Sequence, residues 1–157
     1  MKSKPATKLK AQTASVNPAM LLDNQICFAL YSTSLAMTKV YKPLLAELGL
    51  TYPQYIVMLV LWERDDLMVS EIGERLCLDS GTLTPLLKRL EENGLIKRVR
   101  DSEDERRVHI KLSTAGGWLK KSAEKIPACI LALTQCDIPE LLSLGHELKT
   151  LRERLTS

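Results

Sequence analysis

The sequence predicts a mainly α-helical protein with one small β-hairpin, and three observations support that fold class. Apolar residues recur at helical spacing through most of the chain, and capping residues precede successive stretches of this kind. After Gly94 the spacing changes to the alternation that is typical of strands. Hydrophobic residues make up 45% and charged residues 26% of the 157 residues, close to the average for globular proteins, so one ordinary core is expected.

The first 19 residues differ from the rest of the chain. They contain four lysines, no acidic residue and no apolar periodicity, so residues 1–19 are predicted to form a disordered basic arm. The remaining residues carry 18 basic and 19 acidic side chains, so the net charge of +3 comes from the arm and identifies no partner by itself. The sequence shows no signal-peptide pattern and no membrane-spanning run, so we expect a cytoplasmic protein without a membrane partner.

The first two helical stretches are interrupted near a proline. A helix is predicted over 23–41, and Pro43 is expected to break it because proline disfavours helical geometry at the residue before it. The helix then resumes as a short turn over 44–48. Thr51 and Gln54 have the spacing of a capping box, which predicts the start of the next helix.

The middle of the chain combines short helices with a strand pair. Ser70 is expected to cap a third helix that ends at Cys77, and Ser80 a fourth helix that ends at Asn93. Three short helices with brief connections are typical of a helix-turn-helix. The alternating stretches on either side of the charged segment 101–106 predict a β-hairpin with a polar tip.

Two further helices are predicted after the hairpin. Ser113 is expected to cap a long helix that extends to about Gln135, and Asp137 with Glu140 forms a capping box for the last helix. The last helix carries an apolar stripe made of Leu141, Leu142, Leu144, Leu148 and Leu151. Terminal helices with more apolar surface than one small core can cover are typical of a two-fold dimer interface.

This order of elements predicts a winged helix-turn-helix with N- and C-terminal dimerisation helices. Residues 20–157 are expected to form a single domain. Within it we expect a DNA-binding winged-helix lobe over about 51–113, and dimerisation helices over about 20–48 and 114–156. The expected assembly is a homodimer.

The helix over 80–90 has the composition of a recognition helix. Its first turn is small and polar, so it can approach base edges in the major groove of double-stranded DNA, and the basic residues that follow can contact phosphates. At the hairpin tip Asp104 is expected to orient Arg106 toward the minor groove. The candidate DNA-binding residues are Ser80, Gly81, Thr82, Thr84, Pro85, Lys88, Arg89, Arg98, Asp104 and Arg106. An ordinary capped helix with a solvated face, and a soluble turn of mixed charge, are the alternatives.

Two long segments carry a resemblance to a known family. The run LDSGTLTPLLKRLEENGLIKR, followed by RDSEDERR, resembles the MarR family of dimeric winged-helix regulators. With the segment NQICFALYSTSLAMTKVYKPLLAELGLTYPQY, the chain is similar to the organic-hydroperoxide-sensing repressors of that family over about residues 21–155. The resemblance implies that Cys27 is the reactive thiol and that Tyr31 and Tyr41 reach it from the other subunit.

The spacing of these residues is consistent with sensing across a dimer. Tyr41 lies 14 residues after Cys27, or about 21 Å along a straight helix, so the two side chains meet only if a partner helix runs antiparallel. A tyrosine hydroxyl stabilises a thiolate, which attacks a peroxide to give a sulfenic acid that condenses with a second thiol. Cys129 and Cys136 are the candidate resolving thiols, with an external thiol as the third possibility, and Cys77 is expected to pack in the core.

We therefore predict a transcriptional repressor, not an enzyme. It is expected to bind operator DNA as a homodimer, with an organic hydroperoxide as its inducer, and to release the DNA when Cys27 is oxidised, which derepresses a peroxide-detoxifying gene. No cofactor or metal is expected, because the four cysteines and two histidines lack the spacing of zinc ligands. Two alternatives stay open: a MarR-type regulator released by a non-covalent small ligand, and a thiol peroxidase that uses Cys27 catalytically.

Overall fold

The structure of the chain, a computed structural model, describes residues 17–101 and 107–157. Residues 1–16 of the predicted basic arm and residues 102–106 of the predicted hairpin tip lie outside the described residues. The chain divides into two compact units, of which the second is Met37–Ser157 and the first is the part before it.

Two 3₁₀ turns, Pro18–Met20 and Leu22–Asn24, open the described part of the first unit. Asn17 caps the first turn, because its side-chain oxygen accepts the backbone N–H of Ala19 at 3.0 Å. The side-chain amide of Gln25 donates to the carbonyl of Ala19 at 2.6 Å. The last residues of the predicted arm are therefore part of a capped local structure.

Helix α1 (Ile26–Ala46) is continuous, so the predicted break at Pro43 is wrong. A proline inside a helix removes one backbone hydrogen bond and costs about 3 kcal/mol or more. Within the second unit Tyr41, Leu44 and Leu45 lie on either side of Pro43 and belong to the core or pack against it. The continuity of α1 indicates that this packing outweighs the local preference of the sequence.

Three helices and a three-stranded antiparallel sheet form the centre of the second unit. The helices are α2 (Tyr52–Glu63), α3 (Val69–Leu76) and α4 (Ser80–Glu92), and the strands are β1 (Leu67–Met68), β2 (Ile96–Arg100) and β3 (Val108–Leu112). The strand order is β1-β3-β2, and Ile110 in the middle strand lies opposite both Leu67 and Arg98. The predicted winged helix-turn-helix is confirmed. Strand β1 has two residues, too few to show alternation in the sequence.

The predicted caps of α3 and α4 are displaced from their observed positions. At α3, the Glu71 carboxylate accepts the backbone N–H of Met68 at 2.8 Å, so the helix begins before Ser70. At α4, Asp79 rather than Ser80 is the capping residue. In both cases a carboxylate near the predicted serine makes the capping bond, since an ionised acceptor forms the stronger hydrogen bond.

The C-terminal part contains three helices instead of the two predicted. They are α5 (Thr114–Ala123), α6 (Ile126–Thr134) and α7 (Ile138–Thr156). Pro127 lies in the first turn of α6, where a proline is tolerated because the N–H that it lacks would have no partner within that helix. The capping box of Asp137 and Glu140 is confirmed, with bonds of 2.8 and 2.9 Å. Among the described residues no single helix is long and apolar enough to cross a membrane, and the stretches Thr114–Thr134 and Ile138–Thr156 satisfy that test only as a pair bent by 97°.

The core of the second unit joins the helix-turn-helix to the sheet and to α5. Its fully buried side chains include Leu45, Met58, Leu61, Ile72, Leu83, Leu87, Leu90, Ile96, Ile110 and Ile126. Trp62 on α2 is buried at the edge of this core, and its indole N–H donates to the carbonyl of Gly116 at 2.9 Å. Lys120 donates back to the carbonyl of Trp62 at 2.9 Å, so α2 and α5 are tied by two reciprocal bonds.

Cys77 does not pack in the core as predicted. It is exposed at the C-terminus of α3, with φ of 54° and ψ of 39°, which is the left-handed conformation. This is the helix-ending position that favours glycine or asparagine, because a Cβ atom is strained there. Cys77 therefore adopts a backbone conformation that is unfavourable for a residue with a Cβ atom.

We expect Cys77→Gly to stabilise the protein by about 0.5–1 kcal/mol, because glycine adopts the left-handed conformation without a steric penalty. Urea unfolding under reducing conditions, followed by circular dichroism, measures the change. Cys77→Ala is the matched control, since it removes the thiol and keeps the Cβ atom. An equal gain in both variants would show that loss of the thiol, and not relief of the backbone, is responsible.

Candidate nucleic-acid interface and thiol site

The first turns of α4 present small polar residues to solvent. Ser80, Gly81, Thr82, Thr84 and Pro85 are all exposed, while leucines on the opposite face enter the core. The structure thus brings the predicted recognition-helix residues together on one accessible surface.

The Asp79 carboxylate organises the start of α4. It accepts the backbone N–H of Thr82 at 2.9 Å and the hydroxyl of Thr82 at 2.9 Å. These two hydrogen bonds hold the pKa of Asp79 below its ordinary value, and the bond from the backbone N–H has the larger effect. One turn later the hydroxyl of Thr84 donates to the carbonyl of Ser80 at 2.7 Å.

The basic candidates differ in how they are held. Lys88 is exposed and only loosely paired with Glu92, at 3.9 Å. Arg98 on β2 is bound to α4, because its Nε donates to a carboxylate oxygen of Glu91 at 2.8 Å and its backbone N–H donates to the other at 3.1 Å. Arg89 is exposed on α4. The structure therefore links the wing, which contains strands β2 and β3, to α4 through Arg98. The sequence alone did not indicate this link.

The predicted pair of Asp104 and Arg106 lies outside the described residues. The base of the wing is described, and there the backbone N–H of Asp101 donates to the carbonyl of Arg107 at 2.9 Å. His109 on β3 lies close by, with its Nε2 atom 3.5 Å from a carboxylate oxygen of Asp101.

A second carboxylate fixes the opposite side of the His109 ring. The Nδ1 atom of His109 is 3.0 Å from Asp66, and Lys111 lies 3.1 Å from the other oxygen of the same carboxylate. The hydrogen bond from Lys111 is the main reason that the pKa of Asp66 is below its ordinary value. These contacts join the wing to the turn that precedes β1.

The candidate sensing thiol lies on α1 in the first unit. Cys27 is exposed, and Tyr31, four residues later on the same helical face, is 63% exposed. Large apolar side chains around them are also exposed: Met20, Leu22, Ile26, Phe28, Leu30 and Leu35. An exposed apolar surface of this kind is typical of a protein-protein interface.

In the second unit, three tyrosines form a cluster. The ring of Tyr41 lies 4.9 Å from that of Tyr52 and 6.0 Å from that of Tyr55, measured between centroids. Burial of the hydroxyl is the main reason that the pKa of Tyr41 is raised to about 12, and electrostatic interactions with Tyr52 and Tyr55 contribute less. The Tyr41 hydroxyl is therefore a hydrogen-bond donor throughout the physiological pH range.

The sequence prediction named Tyr41 and missed Tyr52. Both Tyr52 and Tyr55 stand in the quoted segment LTYPQY, but the spacing gives no sign that α2 brings Tyr52 against α1. Tyr55 is buried in the core, whereas Tyr52 keeps 36% of its surface exposed. Of the two newly placed tyrosines, Tyr52 is the one accessible to a partner.

The two candidate resolving thiols occupy different settings. Cys129 is half-buried within α6. Cys136 is half-buried in the turn between α6 and α7, after Gln135 with φ of 55°, and its thiol donates to the carbonyl of Thr134 at 3.4 Å. Both thiols are partly accessible, so the geometry of one chain favours neither.

The last helix has no buried residue in a single copy of the chain. Its exposed apolar side chains are Ile138, Leu142, Leu144, Leu148 and Leu155. In the part of the chain that the structure describes, no group of three or more His, Cys, Asp or Glu side chains is placed to hold a metal ion. Trp118 on α5 is 76% exposed and forms no part of the core.

Comparisons with known proteins agree with this architecture. Residues 39–126 match the family model for the transcriptional regulator SarA/Rot. The chain is 53% identical over 136 residues to the organic hydroperoxide resistance transcriptional regulator of Bacillus subtilis (strain 168), which covers 87% of this chain and 92% of that protein.

Two solved forms of AbfR, a protein of Staphylococcus epidermidis, have similar structures. Reduced AbfR bound to DNA matches with a TM-score of 0.73 and 34% identity, over 87% of this chain and 95% of that one. AbfR with a disulfide formed matches with a TM-score of 0.59 and 36% identity, over 86% and 90% of the two chains. The chain therefore belongs to the MarR family of winged-helix transcriptional regulators, in which it resembles the organic hydroperoxide resistance type.

Proposed function

We propose that this protein is a homodimeric repressor that releases operator DNA when an organic hydroperoxide oxidises Cys27. The observation that carries the proposal is the placement of Cys27, an exposed thiol on an apolar helix face, in a chain that also presents an exposed polar recognition helix. The 53% identity to an organic hydroperoxide resistance regulator supports the choice of inducer.

DNA recognition is assigned to α4 and the wing. The exposed first turns of α4 enter the major groove, and Lys88 and Arg89 contact phosphates. Arg98 is held by Glu91 on α4 and positions the wing. The DNA-bound structure of reduced AbfR, a protein of similar fold, supports DNA binding by this chain.

Dimerisation is assigned to the exposed apolar surfaces of α1 and α7. The apolar side chains of α7 are exposed in a single copy, and burying them against a second copy is favourable by about 25 cal/mol per Å². A two-fold dimer presents two recognition helices to half-sites about 34–36 Å apart. Any change in the angle between the two copies therefore changes DNA affinity.

The sensing chemistry begins with the Cys27 thiolate. It attacks one peroxide oxygen, so that an S–O bond forms, the O–O bond breaks, and the alcohol leaves after taking up a proton. The tyrosine cluster of the second copy, Tyr41 with Tyr52, donates hydrogen bonds to the thiolate, and Tyr31 lies on the same face as the thiol. The resulting sulfenic acid condenses with Cys129, Cys136 or an external thiol, forming an S–S bond and releasing water. The disulfide-formed structure of AbfR supports such a step.

The test compares wild type with Cys27→Ser on the DNA upstream of the gene, at fixed salt. Each protein is assayed by gel shift when reduced, after brief exposure to cumene hydroperoxide, and again after dithiothreitol. We expect release of wild type only, reversed by dithiothreitol. Release of both proteins would contradict sensing at Cys27 and favour a regulator that responds to another thiol or to a non-covalent ligand. Repeated peroxide turnover without DNA binding would favour a thiol peroxidase.

Lys88→Ala is expected to weaken binding to operator and to random duplex DNA alike. An exposed lysine that contacts one phosphate contributes a salt-dependent and sequence-independent term. Because the proposed homodimer loses two such contacts, the slope of log K against log salt should decrease in magnitude by about 1.8. Fluorescence anisotropy at several salt concentrations measures it. Lys121→Ala on α5 is the matched control and should leave the slope unchanged. A loss restricted to operator DNA would assign Lys88 to base recognition instead.

A further inference from the structure

The two exposed threonine hydroxyls of α4 both donate their hydrogen within the chain. The Thr82 hydroxyl donates to the Asp79 carboxylate at 2.9 Å, a charge-assisted bond. The Thr84 hydroxyl donates to the carbonyl of Ser80 at 2.7 Å. Both threonines are exposed, and they lie two residues apart on the surface that is proposed to enter the major groove.

A hydroxyl has one hydrogen to donate and two lone pairs that accept. Because the hydrogens of Thr82 and Thr84 are engaged, each side chain offers only lone pairs to a ligand. In the major groove, hydrogen-bond donors come from the exocyclic amino groups of adenine and cytosine, whereas guanine and thymine present acceptors there. A hydroxyl with an engaged hydrogen therefore has no favourable hydrogen bond with guanine or thymine.

We infer that Asp79 and the Ser80 carbonyl set the hydrogen-bond polarity of the recognition helix, so that Thr82 and Thr84 each favour adenine or cytosine over guanine or thymine at the base that they contact. This inference rests on the proposed function, since it requires α4 to contact bases. Asp79 is then a positioning residue for specificity as well as a helix cap: it touches Thr82 through both carboxylate oxygens.

A substitution of Asp79 can reverse the hydrogen-bond polarity of the Thr82 hydroxyl without changing that of Thr84. In Asp79→Asn the amide oxygen must face the backbone N–H of Thr82, which can only donate. The amide nitrogen then faces the Thr82 hydroxyl and donates to it, so the Thr82 hydrogen turns toward the DNA. Asparagine caps helices as well as aspartate does, so α4 is expected to keep its structure. Thr84 is unaffected and serves as the internal control.

The experiment selects binding sites from a random duplex library with wild type, Asp79→Asn, Thr82→Val and Thr82→Ser. In the wild-type site, each adenine is then replaced by nebularine and each cytosine by 2-pyrimidinone, bases that lack the amino group. We expect two such replacements per half-site, one at the base that each threonine contacts, to weaken wild type and Thr82→Ser about five- to tenfold each. Thr82→Val should lose affinity only through the replacement at the Thr84 base and be insensitive to the other. The analogue that produces the loss distinguishes adenine from cytosine.

Asp79→Asn should change its preference to guanine or thymine at the base that Thr82 contacts, and keep its preference at the base that Thr84 contacts. Loss of the negative charge raises affinity for all duplexes together, so the result to compare is base preference. Circular dichroism confirms that the variants are folded. The inference is overturned if every amino-free site binds wild type normally, or if folded Asp79→Asn selects the wild-type sequence. If wild type selects no sequence at all, the proposed function itself is wrong.

Discussion

Gly116→Ala is expected to destabilise the protein by at least about 3 kcal/mol and to abolish DNA binding with it. A Cβ atom at this position would lie 2.0 Å from the carbonyl oxygen of Leu95 and 3.0 Å from its carbonyl carbon. Real side chains do not approach backbone atoms so closely, so α5 or the segment before β2 must move.

Neither side of this contact is free to move. The Leu95 carbonyl accepts a hydrogen bond from the backbone N–H of Ser113 at 3.0 Å, and the Leu95 N–H donates to the carbonyl of Leu90 at 3.0 Å. On α5, the N–H of Gly116 is bound to the Ser113 hydroxyl at 3.0 Å, and its carbonyl accepts the buried Trp62 indole. A shift that relieves the clash therefore breaks several of these bonds at once.

Gly117→Ala is the matched control for this prediction. It changes the next residue of the same helix, where a Cβ atom meets nothing within 4 Å. Because alanine is the better helix former, this variant should gain up to about 1 kcal/mol. Thermal and urea unfolding followed by circular dichroism should separate the two variants by several degrees in Tm. Similar stabilities would show that the close approach of Gly116 to Leu95 is not a constraint on the fold.

The sequence does not predict the difference between Gly116 and Gly117. Gly116 and Gly117 are adjacent in the same helical turn, and composition and periodicity treat them alike. Their difference arises from Leu95, which lies on the other side of the hairpin in sequence. Long-range packing of this kind decides whether a position tolerates a substitution, and it leaves no pattern in the local sequence.

The predictions that succeeded depend on short-range patterns. The capping box of Thr51 and Gln54 needs only four residues, and the structure contains it, with a bond of 2.9 Å. Pro43 and Pro127 illustrate the opposite case. Pro43 lies within a continuous α1, whereas Pro127 lies in the first turn of α6. Tyr41, Leu44 and Leu45 pack around Pro43 at the core, and that support is absent from the local sequence.

The candidate site likewise contains features that the sequence predicts and contacts that only the structure shows. The exposed residues of α4 follow from helical periodicity, so the sequence was sufficient to place them together. The contacts of Tyr41 with Tyr52 and of Arg98 with Glu91 join separate elements, and only the fold reveals them. The proposed dimer contacts of α7 require a second copy, which neither the sequence nor one chain supplies.

Tyr41→Phe and Tyr52→Phe are each expected to slow peroxide-induced release of DNA by about tenfold or more. A hydrogen bond to a charged group is worth about 1.5–3 kcal/mol, and 1.4 kcal/mol corresponds to a factor of ten. The raised pKa of Tyr41, about 12, ensures that it donates rather than ionises. Release at limiting cumene hydroperoxide, followed by fluorescence anisotropy on labelled DNA, measures the rate.

Tyr55→Phe is the control, because Tyr55 belongs to the same cluster but is buried in the core of its own chain. It should change stability and leave the release rate almost unaltered. Equal slowing by all three variants would mean that the cluster acts through packing and not through hydrogen bonds to a thiolate.

A mixed dimer tests whether the tyrosines act across the interface. One copy carries Cys27→Ser with intact tyrosines, and the other carries both phenylalanine substitutions with an intact Cys27. The single remaining thiol then belongs to a chain without Tyr41 and Tyr52, and only the partner can supply them. If the tyrosines act between copies, this thiol reacts at the wild-type rate. If they act within one chain, it reacts as slowly as in the double phenylalanine homodimer, and the proposed arrangement of the sensing site is wrong.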